Sequence, residues 1–171
     1  MPPTSDGSTI APVGGAARTR AVALGCWLFA CLLLLAAGGK TVYPTWFYES
    51  LTRRAGLSDA ASRVVGPGVV GVETLLAGLL LIPAMRGLAL AALVAMTAAF
   101  LAYTGFVASG DDPRPCGCFG AASLSSLLGV PPERLPAWEI ARNAVLFALS
   151  VLLLVAHRRT TRRARTVHAT A

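Results

Sequence analysis

Apolar positions fall into four long runs separated by polar breaks. The runs span Ala21 to about Tyr43, Val64–Ile82, Gly87–Val107 and about Ile140 to Ala156. Each approaches the roughly 20 residues that a helix needs to cross a bilayer. Within hydrocarbon a single segment satisfies its own backbone only as a helix. The pattern therefore predicts an all-α protein, an integral membrane four-helix bundle over residues 21–156. Residues 1–20 form a leader rich in Pro, Gly, Ser and Thr, expected to be a disordered tail. The first run is longer than the apolar core of a secretory signal and follows that leader, so it is expected to stay as the first spanning helix. Residues 157–171 read as a basic cytoplasmic tail.

Finer expectations follow. Pro67 suits the first turn of the second helix, where its missing N–H costs nothing. Ala91, Ala95 and Ala99 recur every fourth residue in the third helix, either as a stripe for close helix approach or as generic Ala-rich composition. Short interfacial helices are expected within about Pro44 to Arg63 and near Leu124–Leu128.

Composition agrees with the runs. Hydrophobic residues make up 55% of the 171 and charged residues 13%. A soluble domain carries about a quarter charged residues. Net charge is +7, and its densest part is Arg158, Arg159, Arg162, Arg163 and Arg165, directly after the fourth run. Beside a membrane helix such a cluster reads as a cytoplasmic stop signal, in preference to a nucleic-acid role. With Arg18, Arg20 and Arg86 that side holds more basic residues than the other, which holds Lys40, Arg53, Arg54, Arg63, Arg114 and Arg134. Both termini are therefore expected on the cytoplasmic side of the cell membrane, with the loop between the third and fourth helices outside. Trp46, Phe47, Tyr48 and Trp138 then fall in the outer aromatic belt, and Trp27 near the inner one.

That loop carries the most distinctive residues, Cys116-Gly117-Cys118-Phe119-Gly120. Two thiols one residue apart on an oxidising membrane face can form, break or exchange a disulfide, and so short a ring is of the labile kind. A structural disulfide remains an alternative. Metal ligation is another: no neighbouring His or Cys completes a zinc set, but copper(I) could accept two soft thiolates. No metal site is assigned. Cys26 and Cys31, five residues apart on one helix, point about 140° apart and cannot pair with each other. They read as small hydrophobes.

Glu73 is the costliest residue, a carboxyl near the middle of a spanning helix. It must face the bundle interior, either protonated or beside a cation. Lys40 and Arg142 are the candidate partners. The pair reads equally as a polar functional site and as an interhelical contact that fixes the bundle. His157 and His168 read as solvated.

Lys40 after the first helix, Glu73 in the second and Cys-Gly-Cys-Phe-Gly after the third form a combination. On it the chain resembles the MauE family of methylamine-utilisation membrane proteins, within the wider DoxX-like four-helix set. The resemblance implies a role in maturing methylamine dehydrogenase, whose small subunit is rich in disulfides and carries a quinone cofactor made from tryptophan. It implies a thioredoxin-like partner, with an amine dehydrogenase subunit as a further one. Cys116 and Cys118 match the family's thiols, and Glu73 and Lys40 supply an intramembrane polar site. The leading expectation is a redox-associated component that supports thiol–disulfide exchange. A membrane quinone is a conceivable cofactor that no residue pattern here specifies. The alternatives are a non-enzymatic scaffold with a structural disulfide and a small transporter using Glu73 and Lys40.

Overall fold

The computed structural model describes residues 14–42, 44–108 and 135–169. Helix α1 is Gly14–Val42, α2 is Pro44–Glu49, α3 is Asp59–Leu81, α4 is Arg86–Ala108 and α5 is Leu135–Ala169. A wide helical turn, Ser50–Arg54, continues α2, and a tight turn, Pro83–Met85, joins α3 to α4. No strand occurs among the described residues. Four helices are long and apolar enough to cross a membrane: Ala17–Val42, Asp59–Leu81, Pro83–Phe106 and Ala137–Arg162. The protein is a multi-pass, all-α membrane bundle.

The helices run past the apolar runs that predict them. α1 starts at Gly14, within the polar leader, and α5 continues to Ala169 through the arginine cluster. Ala and Arg are both strong helix formers, so neither stretch stops a helix already nucleated in lipid. α3 begins at Asp59, where the Ser58 side chain accepts a hydrogen bond from Ala61 N–H at 3.3 Å. That N-cap lies ahead of the apolar run, and it changes the reading of Pro67. The proline lies inside α3, past its first turn. At the other end Pro83 forces Ile82 into an extended conformation (φ −86°, ψ 111°) and α3 stops. Arg86 Nε donates to Leu80 O at 3.3 Å, satisfying one of the carbonyls left open there.

Packing joins α1 to α3 and α4 to α5 most extensively, with α1 against α5 and α3 against α4 closing the bundle. Val22, Cys26, Phe29 and Leu33 of α1 meet Leu76 and Leu80 of α3 and Leu90 and Leu93 of α4. Without water to drive burial in hydrocarbon, such contacts are held by close van der Waals fit. Gly25 shows the closeness: a Cβ there would lie 2.5 Å from Leu153 Cδ2, so α1 and α5 touch at that level. Gly66 lies similarly under the Tyr48 ring, which seats α2 on α3. Ala95 and Ala99 face outward, so the small-residue stripe is not the packed face of α4. That face is Ala89, Leu90, Leu93, Thr97 and Thr104. Hydrogen bonds bridge α4 and α5 as well, Thr97 to Ser150 at 3.1 Å and Asn143 Nδ2 to Thr104 Oγ1 at 3.3 Å.

Candidate functional site, a buried ion pair beside a cavity

Lys40 lies in the last turn of α1 and Glu73 near the middle of α3. The lysine stem spans the difference in depth. Its Nζ lies 2.6 Å from Glu73 Oε1, and both side chains are 1% exposed. Of the two candidate cations, Lys40 is the one bonded to Glu73, and no bond joins Glu73 to Arg142. Lys40 Nζ also lies 5.5 Å from the centre of the Phe47 ring and 6.0 Å from that of Phe100. Phe47 comes from α2, so the segment that follows α1 folds back over the ammonium and shields it from water. Aromatic faces attract a cation, more strongly once it is desolvated. Ser50 and Tyr103, hydrogen-bonded at 3.1 Å, tie the same segment to α4.

Glu73 Oε2 has no hydrogen-bond partner among the described residues. Glu73 lines a cavity of about 30 Å³ with Phe29, Leu33, Met96, Thr97, Phe100 and Asn143, all four long helices contributing to its walls. The wall is almost wholly apolar, although Glu73, Thr97 and Asn143 are among its residues. The sequence places Phe47 only in the outer aromatic belt and gives Phe100 and Asn143 no role. Asn143 had a signal that could have found it, an amide within an apolar span.

Cys116 and Cys118 lie outside the described residues, as does the expected helix near Leu124–Leu128. The segment that carries the thiols leaves α4 at Ala108 and enters α5 at Leu135, at the end of the bundle where α1 finishes and α3 starts. Cys26 and Cys31 are both free, Cys26 buried in the core and Cys31 on the exposed surface of α1. The described residues contain no group of three or more His, Cys, Asp or Glu able to hold a metal ion.

The family model for methylamine utilisation protein MauE matches residues 18–156. The chain belongs to the MauE family. The match takes in all four spanning helices, the Lys40–Glu73 pair and the Cys116–Cys118 segment, and leaves out the arginine-rich end of α5. As a MauE-family member the protein is a membrane protein associated with methylamine utilisation. No curated protein and no solved structure matches the chain.

Proposed function

We propose that this MauE-family protein is a membrane thiol–disulfide component, with Cys116 and Cys118 as its exchanging pair. The observation that carries the reading is the family match across a segment that contains two cysteines one residue apart. The arginine-rich end of α5 supports an orientation with both termini cytoplasmic and that segment extracytoplasmic, where disulfides persist.

The chemistry is a two-electron exchange. A thiolate of a thioredoxin-like partner attacks one sulfur of the Cys116–Cys118 disulfide, and a mixed disulfide forms as the Cys116–Cys118 bond breaks. The partner's second thiolate then displaces the remaining Cys thiolate. The pair ends as a dithiol, the partner as a disulfide, and two protons pass with the two electrons. The reverse sequence delivers a disulfide in the opposite direction. Exchange between the two proteins needs no further oxidant. The partner in turn serves the disulfide-rich subunit of a methylamine-dehydrogenase-type enzyme during its maturation.

Lys40 and Glu73 serve this site from within the membrane. By tying α1 to α3, and through Phe47 holding the segment after α1, the pair fixes the end of the bundle from which the thiol segment emerges.

The reading is tested by complementation in a host that depends on this protein for amine dehydrogenase maturation. A Cys116→Ser/Cys118→Ser double variant should reach the membrane at wild-type level and yield no mature, disulfide-complete small subunit. Full maturation by the double variant would transfer the role to a non-enzymatic scaffold.

A further inference from the structure

We infer that the arginine layer at the end of the bundle where α1 and α4 begin and α5 leaves the apolar core is a binding surface for anionic phospholipid headgroups. The inference does not rest on the thiol reading. Arg158, Arg159 and Arg162 also lie beyond the residues that the family model matches.

Helix contacts put the arginines at one level. α1 and α5 touch where a Cβ on Gly25 would lie 2.5 Å from Leu153 Cδ2. Further along α1, Leu33 and Ala36 share a cavity with Asn143 and Leu146, so the two helices run in opposite directions. Arg20 lies five residues before Gly25, and Arg158 five residues after Leu153. Both therefore lie about 7–8 Å from that contact, toward the same end. Gly87 brings its neighbour Arg86 to this level, since a Cβ on Gly87 would lie 3.5 Å from His157 Nε2. Arg18, Arg159 and Arg162 complete the layer. From Arg158 to Arg162 the helix rises about 6 Å. The headgroup zone on each side of a bilayer is about 5–8 Å deep.

No carboxylate among the described residues offsets this layer. Their acids are Glu49, Asp59, Glu73 and Glu139. Glu73 is bound to Lys40, and the others belong to α2 and to the starts of α3 and α5, at the opposite end. Arg18, Arg20, Arg158, Arg159 and Arg162 are exposed. Arg86 uses Nε on Leu80 O and keeps its terminal N–H groups as donors. Guanidinium forks match phosphate oxygens, and a basic cluster beside a spanning helix attracts anionic lipid.

The apolar surface beside the charge separates a lipid from a soluble polyanion. Residues four apart share a helix face. On that spacing exposed Leu24 lies on the core side of Arg20, and exposed Val155 on the core side of Arg159. Ile82, Met85 and Leu88 are exposed around Arg86. A phospholipid meets both surfaces, its phosphate on a guanidinium and its acyl chains on the apolar side chains. A nucleic acid or an acidic peptide meets only the charge. A zwitterionic lipid brings an ammonium of its own, so the surface favours a headgroup with net negative charge.

Electron spin resonance of spin-labelled lipids, with the full chain in phosphatidylcholine liposomes, tests this. Spin-labelled phosphatidylglycerol should associate with the protein at least about fivefold more strongly than spin-labelled phosphatidylcholine, the factor that a single basic residue contributes at an anionic surface. Salt at about 1 M should reduce the preference, because screening then acts within about 3 Å. The Arg158→Gln/Arg159→Gln/Arg162→Gln variant should bring the ratio toward one. Arg18→Gln/Arg20→Gln removes the same layer from α1, should also lower the ratio, and replaces the triple variant if that one does not fold. Arg63→Gln, at the opposite end, should leave the ratio unchanged. Equal association of the two lipids with the wild-type chain overturns the inference and leaves the surface to a soluble polyanion. A preference that survives both arginine variants, or that falls as far in Arg63→Gln, overturns it as well.

Discussion

Replacing Lys40 with Met removes the only cation bonded to Glu73 among the described residues while keeping the length and apolar character of the stem. At 2.6 Å and an effective dielectric of about 20, the gross attraction within the pair is about 6 kcal/mol, most of which desolvation offsets. Loss of one partner from a buried pair costs about 3–5 kcal/mol. A further bound comes from protonation. The stranded carboxyl escapes its charge by taking a proton, and for a glutamate of ordinary affinity that costs about 3.7 kcal/mol at pH 7 and about 1 kcal/mol at pH 5. The folded Lys40→Met chain then binds one more proton than the unfolded chain at neutral pH, so its stability rises as pH falls. At roughly 2–4 °C per kcal/mol, the variant should melt roughly 7–15 °C below the parent at pH 7 and roughly 2–4 °C below it at pH 5. Cys26 supplies the readout. It is wholly buried, and with Cys31, Cys116 and Cys118 replaced by Ser it is the last of the four thiols. A thiol-reactive fluorophore in mild detergent then reports the melt. A deficit that does not shrink between pH 7 and pH 5, or no deficit at all, would refute the claim that Glu73 is a buried charge neutralised by Lys40.

Glu73→Lys should lower folded yield in detergent well below Glu73→Gln, because Gln keeps the shape and most hydrogen bonds while Lys sets two ammonium groups together in a site built for one; equal yields would mean that the position faces water. A membrane-impermeant thiol reagent should label reduced Cys116 or Cys118 in intact cells, and labelling only after lysis would reverse the orientation proposed from the arginine cluster.

The four spans could be read from the sequence because in lipid apolar length and helix are nearly the same statement. Helix ends could not, since Ser58 caps α3 in the polar flank and α5 carries its turns through an arginine-rich stretch. That is why Pro67 falls inside α3. Which face of each helix points inward was also hidden. Leu24, Leu28 and Leu35 face outward while Val22, Phe29 and Leu33 face the core, and lipid and core ask for the same residue types. Polar residues break that degeneracy. Glu73 announces an interior position and a need for a partner from its cost alone, and Lys40 is in place to meet it. The cavity, the Phe47 cover and the Gly25–Leu153 approach depend on which helices are neighbours, which no local pattern carries.

The central claim, that Cys116 and Cys118 exchange disulfides with a partner, is tested most directly by trapping. When the reduced pair attacks an oxidised partner, the reverse direction of the exchange, the second cysteine of the pair resolves the mixed disulfide, so removing that cysteine should leave the partner covalently attached. Cys116→Ser and Cys118→Ser single variants, run from the native membrane on a non-reducing gel beside the double variant, give the answer. The account predicts an adduct in one single variant, absent from the double variant and lost on reduction. If neither single variant holds an adduct and the wild-type pair stays oxidised in a glutathione buffer, the cysteines are a structural staple and the claim is wrong.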